Sequence, residues 1–237
     1  MGRRGVWGCP PHHLHCRFCG GSALSRHLYI AIEGPIGVGK TTLARLIKDQ
    51  FEAELLLEVF EENPFLSRFY ADRERYAFQT QIFFLLSRYR QQHQVVPEIL
   101  RRSNLISDYT FAKDRLFAHL NLRGDELEMY ERVHTILAEK IPTPDLIVYL
   151  RADTDVLMAR IAIRDRPYER NMDRDYIDAV RAAYERFFVH YDQAPVLPID
   201  TNELDFVRHP EDLDYIILRI RSVLRKGVYQ APLPEIV

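Results

Sequence analysis

The chain has 237 residues, 47% of them hydrophobic and 28% charged, with a formal net charge of -2 at pH 7. That length suffices for one domain with a sizeable core, and the near-neutral balance gives no global electrostatic pull toward nucleic acid or a membrane surface, so any anion site has to be local. No run reaches the roughly 18 apolar residues of a membrane span and no secretory signal pattern stands out, so the chain reads as soluble and cytoplasmic, with neither a nucleic-acid nor a membrane partner.

Residues 1–26 carry no acid and no sustained hydrophobic period, and read as an extension. All three cysteines, Cys9, Cys16 and Cys19, fall there, an odd number that argues against a disulfide framework. With His12, His13 or His15 they offer zinc-ligand spacings, but a second paired half is missing, and a disordered start or a transit peptide are the alternatives.

From Leu28 strand and helix patterns alternate. "LYIAIE" is followed by a Gly-rich turn and "TTLARLIKDQF"; "AELLLEV" leads into an aromatic-rich helical stretch from Asn63 to Arg102. "NLISD", "DLIVYL" and "VLPID" continue the series, each followed by a helix, the last near 210–225. Five short apolar strands separated by helices predict a parallel sheet covered on both faces.

"GPIGVGKTT", comprising Gly34, Pro35, Ile36, Gly37, Val38, Gly39, Lys40, Thr41 and Thr42, fits the phosphate-loop pattern between a strand and a helix. Its backbone N–H groups and the helix N-terminus suit phosphate oxygens, Lys40 adds a point charge, and Thr41 suits Mg²⁺. A nucleoside triphosphate with Mg²⁺ is the first expected ligand. No guanine-reading N-K-x-D segment is present, and the chain is short for a motor, which leaves a second, small substrate.

Candidates for that second half follow in chain order. Glu58, at the end of the second strand, is placed to act as a general base, with Glu61 and Glu62 as competitors whose plainer role is to start the next helix. Gln81 and Arg88 lie seven apart on one otherwise apolar helix face, where a planar base edge would satisfy them, with Asp114 steadying Arg88; an ordinary surface ion pair is the alternative. Asp108 closes the third strand as a Mg²⁺-holding acid or a helix cap. "RIAIRDRPYER" places Arg160 and Arg164 one helical turn apart, with Arg166 just before Pro167.

Together these residues resemble the deoxynucleoside kinase family, from Leu28 to about Leu224. The resemblance implies a P-loop NTPase three-layer α/β sandwich with a five-stranded parallel sheet flanked by helices, an arginine-rich lid and a kinase domain over 27–237. It implies ATP as donor and Glu58 as the base that activates the acceptor's 5′-hydroxyl. Gln81, Arg88 and Asp114 would read the base, Tyr70 and Glu169 the sugar 3′-hydroxyl. Arg160, Arg164 and Arg166 would clamp phosphates, leaving Arg170 solvated. The animal enzymes end the third strand in Glu-Arg-Ser; here Asp108 and Tyr109 replace the first two, so one arginine near the 5′-hydroxyl is lost. Asp114 beside Arg88 and the bacterial-style departures point to a purine deoxynucleoside, deoxyguanosine or deoxyadenosine, and the family implies a homodimer through helices. The rivals are a nucleoside monophosphate kinase of the thymidylate type, which needs a further cationic site, and a nucleotide-dependent binding module.

Overall fold

In the computed structural model, residues 27–59 and 62–226 are described. The zinc expectation at Cys9, Cys16, Cys19 and the neighbouring histidines, and the alternative base Glu61, lie outside them.

Five parallel strands, β1 (Tyr29–Glu33), β2 (Ala53–Leu56), β3 (Asn104–Ser107), β4 (Leu146–Arg151) and β5 (Val196–Asp200), form one sheet in the order β2-β3-β1-β4-β5. β1 is buried at all five positions, and β4 at all but Arg151, as continuous apolar runs require when helices cover both faces. Each fully buried Ile, Leu or Val contributes about 1.5–3 kcal/mol relative to exposure, and Ile30, Ile32, Leu105, Ile147 and Val148 are all closed to solvent. The chain leaves β1 toward one side of the sheet and leaves β3 toward the other, so a crevice opens at the C-terminal ends of these two neighbours.

α1 (Lys40–Ile47) runs straight out of the phosphate loop, and α8 (Pro210–Lys226) closes the described chain where the periodicity places it. Two expectations are corrected. The helical stretch from Asn63 to Arg102 is two helices, α2 (Leu66–Ala71) and α3 (Arg73–Ile99), divided at Asp72. There the carboxylate accepts from the backbone N–H of Arg75 and caps the longer helix. β2 also stops at Leu56, short of Glu58, because its register with β3 ends at the Leu56–Ser107 pair. Beyond it the Glu58 N–H donates to the Asp108 carboxylate at 2.8 Å instead of to a strand partner.

Between β3 and β4 lie α4 (Lys113–Asn121) and α5 (Gly124–Ala138); between β4 and β5 lie α6 (Thr154–Arg164), a short 3₁₀ turn (Pro167–Glu169) and α7 (Arg174–Val189). No helix among the described residues is long and apolar enough to cross a membrane.

Candidate active site

The phosphate loop needs glycine where it passes closest to its neighbours. Gly34 has φ +146°, and a Cβ there would stand 2.4 Å from the Leu150 carbonyl oxygen; Gly37 has φ +88°, with the Leu157 carbonyl oxygen 2.9 Å from a Cβ. Gly39, in the left-handed region, then sets the start of α1. The Lys40 ammonium donates to the carbonyl oxygens of Gly34 and Pro35, at 2.8 and 3.0 Å. Burial, with help from the charge of Lys113, lowers its pKa to about 8, against the opposing pull of Glu33, Glu58 and Asp108.

Thr41, the next residue, donates its hydroxyl to Asp108. Asp108 lies just past β3, and α4 starts five residues later with Ala112 as its cap, so Asp108 does not cap a helix. An alcohol and a carboxylate side by side beneath a phosphate loop form an oxygen donor pair that suits Mg²⁺, which keeps waters and takes phosphate oxygens for its remaining positions. Among the described residues there is no cluster of three His, Cys, Asp or Glu side chains.

Glu58 stands across the crevice from the loop. Its Oε1 accepts from the Arg88 guanidinium, at 2.9 Å from Nε, and its Oε2 accepts from the Lys113 ammonium at 2.6 Å. Burial alone would push this carboxyl up, but the charges of Arg88 and Lys113 and their hydrogen bonds win, holding it well below the usual carboxylate range. Glu62 is exposed and lies ahead of α2 without entering its first turn.

Gln81 and Arg88 are both buried on one face of α3, as their spacing implies. Arg88 is not at the surface: it pairs with the fully buried Asp114 in the first turn of α4 as well as with Glu58, and it lies over the Phe84 ring at 4.6 Å. Gln81 Oε1 and Asp114 Oδ2 are buried acceptors without a hydrogen-bond partner among the described residues. Such an atom costs about 1–3 kcal/mol until a donor arrives.

The remaining arginines part company. Arg164 donates to Glu169 through Nε at 3.0 Å, and Arg166 approaches the same carboxylate at 3.8 Å, so Glu169 is paired and 4% exposed. Tyr70, at the end of α2, stacks in parallel on Tyr168 with centroids 6.1 Å apart, on the same side as Glu169. Arg160 does not share their direction. It donates to the carbonyl oxygens of Val38, Thr201 and Leu204 and to the Thr201 hydroxyl, tying the phosphate loop to the segment after β5. Arg170 is exposed but ion-paired to Asp165 at 2.7 Å.

Two residues at the site carry no role in the sequence reading. Lys113 sits one position before Asp114 and is the signal most open to being read. Glu33, the last residue of β1, is fully buried and accepts from the Thr110 N–H and hydroxyl at 2.6 and 2.8 Å and from the Tyr184 hydroxyl at 3.1 Å. Nothing in "YIAIEG" separates it from an ordinary strand-end carboxylate. One crevice thus holds Lys40, Thr41, Glu58, Gln81, Arg88 and Asp108, with Tyr70, Arg164, Arg166 and Glu169 along its rim. A wider groove of about 950 Å³ between α4, α5 and α7 contains none of them.

A phosphate loop at the switch point of a five-stranded parallel sheet, facing a second polar pocket, defines a P-loop phosphotransferase. Residues 30–225 match the family model described as "Deoxynucleoside kinase", and the chain belongs to that family. It is 33% identical over 201 residues to a deoxyguanosine kinase of Bacillus subtilis (strain 168), covering 83% of this chain and 97% of that protein. It is 27% identical over 209 residues to a deoxyadenosine/deoxycytidine kinase of the same organism, covering 85% of this chain and 95% of the other. The structure of a deoxyadenosine kinase from M. mycoides with bound dATP superposes with a TM-score of 0.72 at 27% identity, over 82% of this chain and all of that one. Membership of a phosphotransferase family sets aside the reading of a binding module without an activity.

Proposed function

We propose that the protein transfers the γ-phosphoryl group of ATP to the 5′-hydroxyl of a purine deoxynucleoside. The observation that carries this reading is the position of Glu58 between the phosphate loop and the Gln81–Arg88–Asp114 group, with a carboxylate kept ionised through the neutral range. Residues Gly34 to Thr42 would hold the donor phosphates, and Lys40, Arg164 and Arg166 would balance charge on the transferring group. Arg160 would act from further back, through the loop. Glu58 accepts the 5′-hydroxyl proton as the oxygen attacks the γ-phosphorus, the bond to the β-bridging oxygen breaks, and the nucleoside diphosphate leaves. Thr41 and Asp108 would hold Mg²⁺, which supplies charge neutralisation at the donor phosphates when bound.

Tyr70 and Glu169 face the space for a sugar 3′-hydroxyl. The open acceptors at Gln81 and Asp114 favour a base that brings amino hydrogens: adenine, guanine and cytosine carry an exocyclic amino group and thymine has none, so this contact disfavours thymidine without separating purines from cytosine. The names of the Bacillus relatives, which include a deoxyguanosine kinase, add to this preference.

Turnover with ATP and Mg²⁺ on the four deoxynucleosides and on deoxyguanosine monophosphate tests the reading. Deoxyguanosine or deoxyadenosine is expected to be the best acceptor, with thymidine about 100-fold or more below it in kcat/KM, as befits a site whose polar groups would stay unpaired. Preference for the monophosphate would shift the reading to the thymidylate type. A homodimer through helices completes the proposal, supported by the exposed Leu86 on α3 and Met129 and Ile136 on α5. The expected solution mass is twice that of the chain, and a monomeric mass by sedimentation refutes it.

A further inference from the structure

We propose that Lys113 is a positioning residue of phosphoryl transfer, holding Glu58 by its Oε2 so that the opposite edge of the carboxylate faces the acceptor hydroxyl. The inference rests on the reading of Glu58 as the base.

Lys113 breaks two local rules at once. It is 6% exposed, where a lysine ordinarily keeps its ammonium in water, and it opens α4, where the helix dipole favours an acid over a cation. Both penalties are offset chiefly by the 2.6 Å hydrogen bond to Glu58, and the ammonium also lies 5.9 Å from the centroid of the Phe117 ring. Local choices that disagree with the fold without a packing gain mark functional positions.

The surrounding residues sharpen the assignment. Tyr109 stands where the animal enzymes carry an arginine; it is fully buried and donates its hydroxyl to Gln91 at 2.7 Å. Arg88 is divided between Glu58 and Asp114, and so between the reacting end and the base-reading end of the pocket. Lys113 has the single carboxylate partner Glu58 among the described residues, and Lys40 is within reach of its charge across the crevice. A cation displaced from position 109 in sequence is thus restored in space, one helical start further along. Lys113 takes no proton in the transfer; that proton goes to Glu58.

The test is the split between kcat and acceptor KM at neutral pH for Lys113→Met and Lys113→Arg beside Glu58→Gln. With the ammonium removed, Glu58 loses the partner that fixes its Oε2, and kcat should fall about 100-fold as the carboxylate loses its orientation, while the acceptor KM stays within about threefold. Lys113→Arg should restore most of kcat. A methionine variant with kcat within about twofold of the parent, or with its loss carried by KM alone, overturns the proposal, as does an arginine variant no faster than the methionine variant. If Glu58→Gln turns over normally, the reading of Glu58 fails; if only Glu58→Gln is impaired, the inference about Lys113 alone fails.

Discussion

Replacing Glu58 by Gln is expected to lower kcat by about 10²–10⁴, the usual contribution of a positioned general base, while leaving ATP affinity within a few-fold. The amide keeps the volume of the carboxylate and one acceptor oxygen for Arg88 or Lys113, so the pocket should remain built. What it removes is the proton acceptor and the negative charge. Two cations then face each other across a neutral group, and the acceptor KM should change less than kcat. On the proposed reading donor binding would be set by the phosphate loop, whose lysine bonds to its own carbonyls and not to Glu58. Single-turnover rates together with ATP titration separate the two effects. Equal losses in both, or an unchanged kcat, remove Glu58 from the role of base.

Arg88→Met should be the most destabilising single change in the pocket. It leaves Asp114, which is fully buried, and Glu58, nearly so, with one of their cations gone. Breaking a buried ion pair from one side costs about 3–5 kcal/mol, because the remaining charge stays uncompensated. The pH dependence gives the sign. In the parent the folded Glu58 pKa lies below its unfolded value of about 4.3. Its contribution is therefore complete above that value and is lost as pH falls toward the depressed folded pKa. In Arg88→Met the depression shrinks, so the loss of stability from about pH 5 downward should be shallower, with the variant closest to the parent in acid. Urea unfolding at several pH values checks both parts; a constant gap across that range would show that Arg88 acts through packing on Phe84.

Much of this site could be read from residue types and spacing. The phosphate loop was legible because its chemistry is contiguous: the same nine residues make the turn, the cation and the helix start. Gln81 and Arg88 were legible because seven residues on a helix return to one face; the expectation that this face is otherwise apolar is corrected, since Thr80 and Gln92 are buried on the same helix as well. The extent of β2 was not, since "AELLLEV" stays apolar past Leu56 and only the competing hydrogen bond from Glu58 to Asp108 ends the ladder. The break at Asp72 was hidden in a run of helix-compatible residues, where a single capping carboxylate decides. Arg160, Arg164 and Arg166 of the lid segment looked equivalent because spacing fixes direction around a helix but not what lies opposite. Arg160 faces carbonyl oxygens from the loop after β5, and Arg164 faces Glu169. Lys113 and Glu33 depend on partners 55 and 77 positions away in the chain, which no local pattern encodes.

Glu33 has a consequence for how the enzyme can move. It closes β1 immediately before Gly34 and, through Thr110 and Tyr184, is bonded to the segment after β3 and to α7. On the proposed reading, the floor under the donor and the floor under the acceptor would therefore be one splint, with a fixed spacing between the phosphate loop and the acceptor side. Any shortening of that gap during a reaction cycle has to come from above, from the end of α6 and the turn that carries Glu169. A spectroscopic ruler between β1 and α4 should then read the same length with and without ligands, while one from β1 to the turn at 167–169 should contract.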